Sequence, residues 1–383
     1  MEIKSVQRWL VRVPFKEDIF WASGRRIGPT RLLVRIETDA GIVGWGETIC
    51  LIDAVWSVFD QVVKPIAIGY QVSDVEKFTK HILGAGYYHH KRAAVMASAA
   101  MEMAMWDAYG KMLCQPLHRL WGGSWRDSVR CSAYLFTSDP VSVSEKAKYF
   151  LDLGYTSFKA KIGFDYQTDI KVTESVRTAV DDCELRVDVN GAWTPGTAKR
   201  LLNRLRDYDL SYVEQPLQMD DLLGHVELKQ SQPVPIALDE SAYTLEDVGN
   251  IVRMGAADVL LLDPHEAGGC WQVIKSGAIA EAAGIPLSLH SGGELGFSQA
   301  AYLHLAASIS NMTISIDTER DYLGADVVLN SPQIVDGAYQ VPVEPGLGVE
   351  PDMDKIELYS VDSIEGAYLD NHRPGWFPVK PEF

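Results

Sequence analysis

Six residues able to hold a metal or move a proton recur through the second half of this 383-residue chain, each closing a short apolar run. They are Lys161, Asp188, Glu214, Asp239, Asp263 and His290, spaced 24 to 27 residues apart, with Asp317 as a weaker seventh. Asp188, Glu214 and Asp239 are three carboxylates on successive units. Converging acids repel unless a cation holds them, and an all-oxygen set suits Mg²⁺, with Mn²⁺ as an alternative. No Cys or His stands at a matching position, which argues against zinc. Helix capping by Asp explains one or two such acids, but not three at matched depth.

Lys159 and Lys161 share one face of a strand, because residues i and i+2 do. Two adjacent cations disfavour each other's charge, so one lysine is expected to be lowered toward a useful base. Asp263 and His290 end the next two units, and a neighbouring carboxylate orients an imidazole and raises its pKa. His225, His265 and His304 lack such a partner and are expected to be structural. A divalent ion on a substrate carboxylate with a base on each side is an arrangement for removing the proton α to that carboxylate. Lys159 and the metal would stabilise the charge that develops.

A strand, a helix and two short loops fill a step of this length, so the series implies repeated β/α units with its residues around one mouth. Eight apolar runs, from VRCSAYLF (129–136) to MTISID (312–317), favour a closed parallel barrel over an open sheet. Helical patterns separate most of them, among them 140–153, 168–180 and 194–208, and the stretch after the eighth run reads as irregular. The first part of the chain differs. RLLVRIETD (31–39) and GIVGWGE (41–47) alternate around a turn at Asp39-Ala40-Gly41, and a long helix is predicted over 91–113. The expected division is an α+β unit over 1–126, a barrel over 127–344, and a segment over 345–383 that returns to the first unit.

A formal charge of −17 argues against nucleic acid and anionic membranes as partners. No apolar run approaches the ~20 residues of a membrane helix, and the first residues lack the order of a signal peptide. Five scattered cysteines fit reduced thiols better than disulfides, so a cytoplasmic protein is expected.

Taken with GWGE (44–47), DVNGAW (188–193), VEQP (213–216), ALDES (237–241), LLLDPHEAGG (260–269), LSLHSGGELG (287–296) and PGLGVEPDMD (345–354), these residues resemble the enolase superfamily in its mandelate racemase branch. The resemblance covers essentially the whole chain. It implies an α/β protein: a (β/α)7β TIM-type barrel with an α+β N-terminal capping domain completed by the C-terminal tail. It also implies one Mg²⁺ per subunit on Asp188, Glu214 and Asp239, and a homo-oligomer. Lys161 and His290 become the acid/base pair, Asp263 the partner of His290, and Lys159 the residue facing the substrate carboxylate.

Within the branch the chain looks most similar to glucarate dehydratase-like acid-sugar dehydratases. Asn190 and Asp317 or Glu319 would then contact substrate. Arg25 and Arg26 in one Gly-rich loop of the cap, and His89 in another, would reach it from above. Two departures are visible: Asp239 replaces the Asn of glucarate dehydratases, and Glu-Gln-Pro replaces Glu-Asp-Pro. The muconate-cycloisomerase branch would place a lysine at Asp263. The activity expected is Mg²⁺-dependent dehydration of an aldonate or aldarate, a small carboxylate, to a 2-keto-3-deoxy acid. A racemase, epimerase or lactone cycloisomerase on the same residues is the alternative.

Overall fold

The computed structural model describes residues 1–84, 91–373 and 378–383. The first unit is built on an antiparallel sheet in the order β1-β4-β5, with β1 at Ile3–Arg12, β4 at Thr30–Thr38 and β5 at Val43–Ile49. The β4–β5 turn contains Gly41 at φ +76°. Between β1 and β4 the chain forms a small hairpin, β2 (Ile19–Trp21) and β3 (Gly24–Arg26). Helix α1 (Asp53–Val58) passes through a π turn into α2 (Lys64–Ala67), followed by α3 (Val75–Gly84), α4 (Lys91–Met112) and the short α5 (Leu117–Leu120).

Helix α4 is rich in Ala and Met and lies flat on β5. A Cβ on Gly44 would lie 2.1 Å from the Ala104 carbonyl oxygen, and one on Gly46 would lie 2.0 Å from that of Ala100. The two glycines of the GWGE motif are therefore required by the close approach of helix and strand.

The barrel strands are β6 (Ser128–Leu135), β7 (Ser157–Lys161), β8 (Glu184–Asp188), β9 (Tyr212–Glu214), β10 (Ile236–Leu238), β11 (Val259–Leu262), β12 (Leu287–Leu289) and β13 (Ile316–Asp317). Neighbours from β6 to β12 pair in parallel in sequence order, and β13 pairs in parallel with β6. The Ile314 amide donates to the Leu287 carbonyl at 3.2 Å and draws β13 toward β12. The strand interiors are buried on both faces, as a helix-covered parallel sheet requires.

Seven helical connections join the eight strands: α6 (Pro140–Asp152), α7 (Tyr166–Val180), α8 (Pro195–Leu205), α9 (Leu222–Ser231), α10 (Leu245–Met254), the pair α11 (Pro264–Ala267) and α12 (Cys270–Ala282), and α13 (Gly296–Ser308). This is the (β/α)7β arrangement.

The stretch after β13 is not wholly irregular. It contains a hairpin, β14 (Ile334–Val335) and β15 (Ala338–Gln340), turned at Asp336-Gly337 with φ of +50° and +67°. Asp-Gly with both residues at positive φ is the favoured two-residue turn. Strand β15 lies antiparallel on the start of β6. The chain then returns to the cap: after α14 (Met353–Leu358), the Val361 amide donates to the Leu10 carbonyl at 2.8 Å.

Candidate active site

Parallel register brings the series together. Lys161 is aligned with Asp188, and Asp188 with Glu214, so three strands present these residues side by side. Leu262 is aligned with Leu289, which sets Asp263 and His290 at matched depth one residue further on. Helix capping does not account for the three central acids. The helices after β8, β9 and β10 are capped by the side chains of Thr194, Asp221 and Thr244 instead. Asp263 does cap: its carboxylate accepts from the His265 amide at 2.6 Å.

Asp188 and Glu214 are fully buried, and Asp239 is 2 % exposed. Lys161 Nζ donates to Asp188 at 2.5 Å and to Asn190 at 3.2 Å. Lys159 Nζ donates to Glu214 and, at 2.7 Å, to Asp317; it stands 3.3 Å from Asp188. Burial opposes the Lys161 charge, and Lys159 opposes it further as expected. Asp188 and Glu214 together outweigh both, so Lys161 is held above the ordinary lysine value rather than lowered. Burial, then the Asp188 charge, pushes the Glu214 carboxyl well up, whereas Lys161 and Lys159 overcome burial to hold Asp188 down.

His290 Nδ1 is 2.8 Å from an Asp239 oxygen, off the line of a hydrogen bond. The carboxylate nearest His290 is thus Asp239 rather than Asp263, because the Asp263 carboxylate is turned to the His265 amide. Asp263 remains close: one ligand atom each of Asp263, Glu266 and His290 lie within 4.8 Å of one another. Burial opposes the His290 charge, but Asp239, Glu266 and Asp263 together raise its pKa well above the usual value.

A cavity of about 350 Å³ opens above these groups, within the range of small-molecule sites. Lys161 and His290 both line it, with Asn190, Asp239 and Glu319 from the barrel and Arg26 from the cap. Arg26 donates to Glu319 at 2.5 Å and to the Gly292 carbonyl at 2.8 Å.

Two expected substrate residues do not line the cavity. Arg25 and Arg26 are neighbours on β3, so their side chains take opposite faces. Arg25 points outward, pairs with Asp18 and does not line the cavity. Asp317 is fully buried, held by Lys159, by Arg186 at 2.9 Å and by the Tyr134 hydroxyl at 2.6 Å, and one ligand atom each of Glu214, His290 and Asp317 lie within 4.8 Å of one another. His89 lies outside the described residues. Lys159 is fully buried on its three carboxylates and does not line the cavity either.

The cavity also has walls that the spacing did not point to. Glu240 accepts from the Asn190 amide at 2.9 Å, and burial beside Asp239 pushes its carboxyl up to about 7. Glu266 lies one helical turn beyond Asp263, and burial and that neighbour raise it as well. Their signal was adjacency to series residues in ALDES and DPHE. A second unanticipated feature is a fully buried pair from the cap, Arg31 and Glu47, bonded at 2.6 Å. Glu47 accepts from the Leu295 and Ser298 amides at 3.0 Å each, and Arg31 reaches His265 at 2.6 Å. The segment that follows His290 is thereby fastened to the cap.

The donor set fits a hard divalent cation. Among the described residues, Glu214 Oε2 and Asp239 Oδ1 are buried with no hydrogen-bond partner, next to the fully buried Asp188. Oxygen atoms withheld from water and left unpaired are costly unless a ligand uses them.

The chain matches two family descriptions: "Mandelate racemase / muconate lactonizing enzyme, N-terminal domain" over residues 8–122, and "Enolase C-terminal domain-like" over residues 142–355. It is 27% identical to the N-succinyl-L-Arg/Lys racemase of Bacillus cereus, with 94% of this chain and 98% of the relative covered. It is 28% identical to the D-xylonate dehydratase of Haloferax volcanii, over 86% of this chain and 85% of that one. The muconate lactonizing enzyme of Pseudomonas fluorescens superposes with a TM-score of 0.89 at 28% identity, covering 94% of this chain and 99% of the other. Racemase, dehydratase and lactonizing enzyme are thus all among the relatives. Among the described residues no helix is long and apolar enough to cross a membrane. With both halves of the architecture matched in order, the chain belongs to the enolase superfamily, the Mg²⁺-dependent proton-abstracting enzymes with a mandelate racemase/muconate lactonizing enzyme cap.

Proposed function

We propose that the protein is an acid-sugar dehydratase, removing the proton α to a carboxylate and the β-hydroxyl to leave a 2-keto-3-deoxy acid. The observation that carries the reading is that Lys161 and His290, from β7 and the end of β12, line the same cavity with buried carboxylates between them. The polar wall of Arg26, Asn190, Glu240 and Glu319 suits a substrate with several hydroxyls.

Asp188, Glu214 and Asp239 would hold the divalent ion. When bound, it supplies positive charge that acidifies the α-proton and balances the charge growing on the substrate carboxylate. With the divalent ion on Asp188, the negative charge that holds the Lys161 proton would be offset, and neutral Lys161 would take the α-proton on one face. Asn190, within hydrogen-bonding reach of Lys161, orients the ammonium that results. His290, kept protonated by its carboxylate neighbours, delivers a proton to the β-hydroxyl as the C–O bond breaks and water leaves. The enol left behind takes a proton at the β-carbon, gives up its hydroxyl proton and becomes the keto acid. Arg26, fixed by Glu319 and the Gly292 carbonyl, closes the cavity from above.

A racemase or epimerase is the second reading. Asp239 in place of the dehydratase Asn favours it, together with racemases among the relatives. The two readings separate in one experiment: incubation with a panel of aldonates and aldarates plus Mg²⁺, assayed with semicarbazide for 2-keto acids and by NMR in D₂O. Keto acid from at least one sugar is expected. Deuterium entering C2 of the panel with no keto product from any member would sink the dehydratase reading.

A further inference from the structure

Residues 378–383 lie across the edge of the cavity and are joined to both of its walls. On the barrel side the Phe383 amide donates to the Ala192 carbonyl at 3.2 Å, and the Thr194 amide donates to the Phe383 carbonyl at 2.7 Å. On the cap side a Cβ on Gly24 would lie 2.8 Å from Pro378 Cγ, so hairpin β2–β3 closes on Pro378 in full contact. Just upstream, Leu369 exchanges two backbone hydrogen bonds with Arg25, at 2.9 and 3.0 Å, and Tyr368 stacks on Trp21 with ring centres 5.2 Å apart. Tyr368, Pro378 and Lys380 all line the cavity.

Lys380 differs from the other cations there. Lys161 is paired with Asp188, and Arg26 with Glu319. Among the described residues Lys380 makes no ion pair, although Glu382 and Glu240 are near enough to favour its charge; its ammonium donates to the Gly191 carbonyl, next to Asn190. Partial burial holds it somewhat below the ordinary lysine value, a cost that a bound anion would relieve. The inner end of the cavity, with Lys161 and His290, is where the reacting carboxylate belongs on the function proposed above.

We propose that Lys380 anchors a second carboxylate at the far end of the substrate, so that the site selects dicarboxylic acids over their monocarboxylic counterparts. This inference rests on that reading of the inner end. The ammonium would exchange a neutral carbonyl for an anion, with residues 378–383 holding it in place between hairpin and barrel.

The test uses two matched pairs: D-glucarate against D-gluconate, and N-succinyl-L-arginine against N-acetyl-L-arginine. Binding is measured by calorimetry with Mg²⁺ in a Lys161→Ala background, where turnover cannot interfere, and KM and kcat are measured in the intact enzyme for whichever acids react. Lys380→Met keeps the aliphatic stem and should weaken the dicarboxylate about ten- to hundredfold. The monocarboxylate should change less than twofold, Lys380→Arg should restore most of the loss, and KM should move more than kcat. If only the N-succinyl pair shows the effect and no sugar binds, the anchor stands and the acid-sugar reading falls. If Lys380→Met affects both members of each pair equally or not at all, or if no dicarboxylate binds, the anchor is wrong. Keto-acid formation would still report separately on dehydration.

Discussion

Two of the regions in which the protein buries carboxylates treat them differently. At the seam between cap and barrel fixed backbone and indole N–H donors occupy their oxygens. Glu102 accepts from the Cys270 and Trp271 amides and the Trp106 indole at 2.8 to 2.9 Å. Asp107 accepts from the Trp45 and Leu347 amides, at 2.9 and 2.8 Å, and from the Lys111 ammonium at 2.7 Å, so that both of its oxygens are used. At the barrel mouth the acids meet mobile ammonium groups, and oxygens of Glu214, Asp239, Glu240 and Glu319 have no partner. Backbone donors commit a carboxylate to the fold, whereas unpaired oxygens and lysine ends leave it available to a ligand.

The largest expected contrast is in turnover. Lys161→Ala and His290→Asn should each lower it by about 10³-fold or more while leaving the fold intact, as steady-state rates and circular dichroism on the identified substrate would show. An unchanged rate in either variant removes that residue from the mechanism.

Stability should contrast in the other direction. Glu102→Ala strands two amides at the start of α12 and the Trp106 indole on α4, and should cost about 3 kcal/mol in denaturant unfolding. Glu214→Gln removes one of several repelling acids, so without Mg²⁺ it should unfold within about 0.5 kcal/mol of the parent. Equal losses would erase the distinction drawn between seam and mouth.

Mg²⁺ should act on the mouth alone. At a hundredfold excess over its dissociation constant it should stabilise the parent by about 2.7 kcal/mol, and an Asp188→Asn, Glu214→Gln double variant should show no such shift. Thermal melts with and without chelator measure both.

The smallest effect lies at the seam. His118 and His304 face each other there with Nδ1 atoms 3.0 Å apart, and burial holds His304 down to about 3, against 6.5 in the unfolded chain. As pH falls the unfolded chain takes the proton first, so stability present above pH 6.5 is lost on acidification. Between pH 6.5 and 5 the loss should be roughly 1.5 kcal/mol, and His304→Gln should flatten it in urea titrations at the two pH values.

The series of strand-end residues was legible because a parallel barrel turns sequence spacing into matched depth; Lys161, Asp188 and Glu214 fall in one register for that reason. Depth does not give direction, however. Asp317 has the right spacing, yet Lys159 and Arg186 hold it and it does not line the cavity. Arg25 has the right loop, but strand alternation turns it out while Arg26 goes in. The hairpin at Asp336-Gly337 carries a readable turn signal inside a stretch whose pattern is otherwise irregular. Nothing local in Pro378-Val379-Lys380 indicates that these residues return to the cavity. Nor does GWGE indicate that its glutamate ends on the amides of Leu295 and Ser298. Those contacts join residues hundreds of positions apart, and only the folded chain brings them together.

The Arg31–Glu47 pair bears on how such proteins diversify. Cap and barrel resemble interchangeable parts, but the chain segment carrying His290 is moored to two charges that belong to the cap. A chimera taking its cap from a relative would inherit a working barrel only if positions 31 and 47 brought an arginine and a glutamate able to reach the backbone at 292, 295 and 298 and the His265 ring. Recombination between relatives is therefore constrained at this joint, and new specificities are more accessible through the rim of the cavity than through exchange of whole domains.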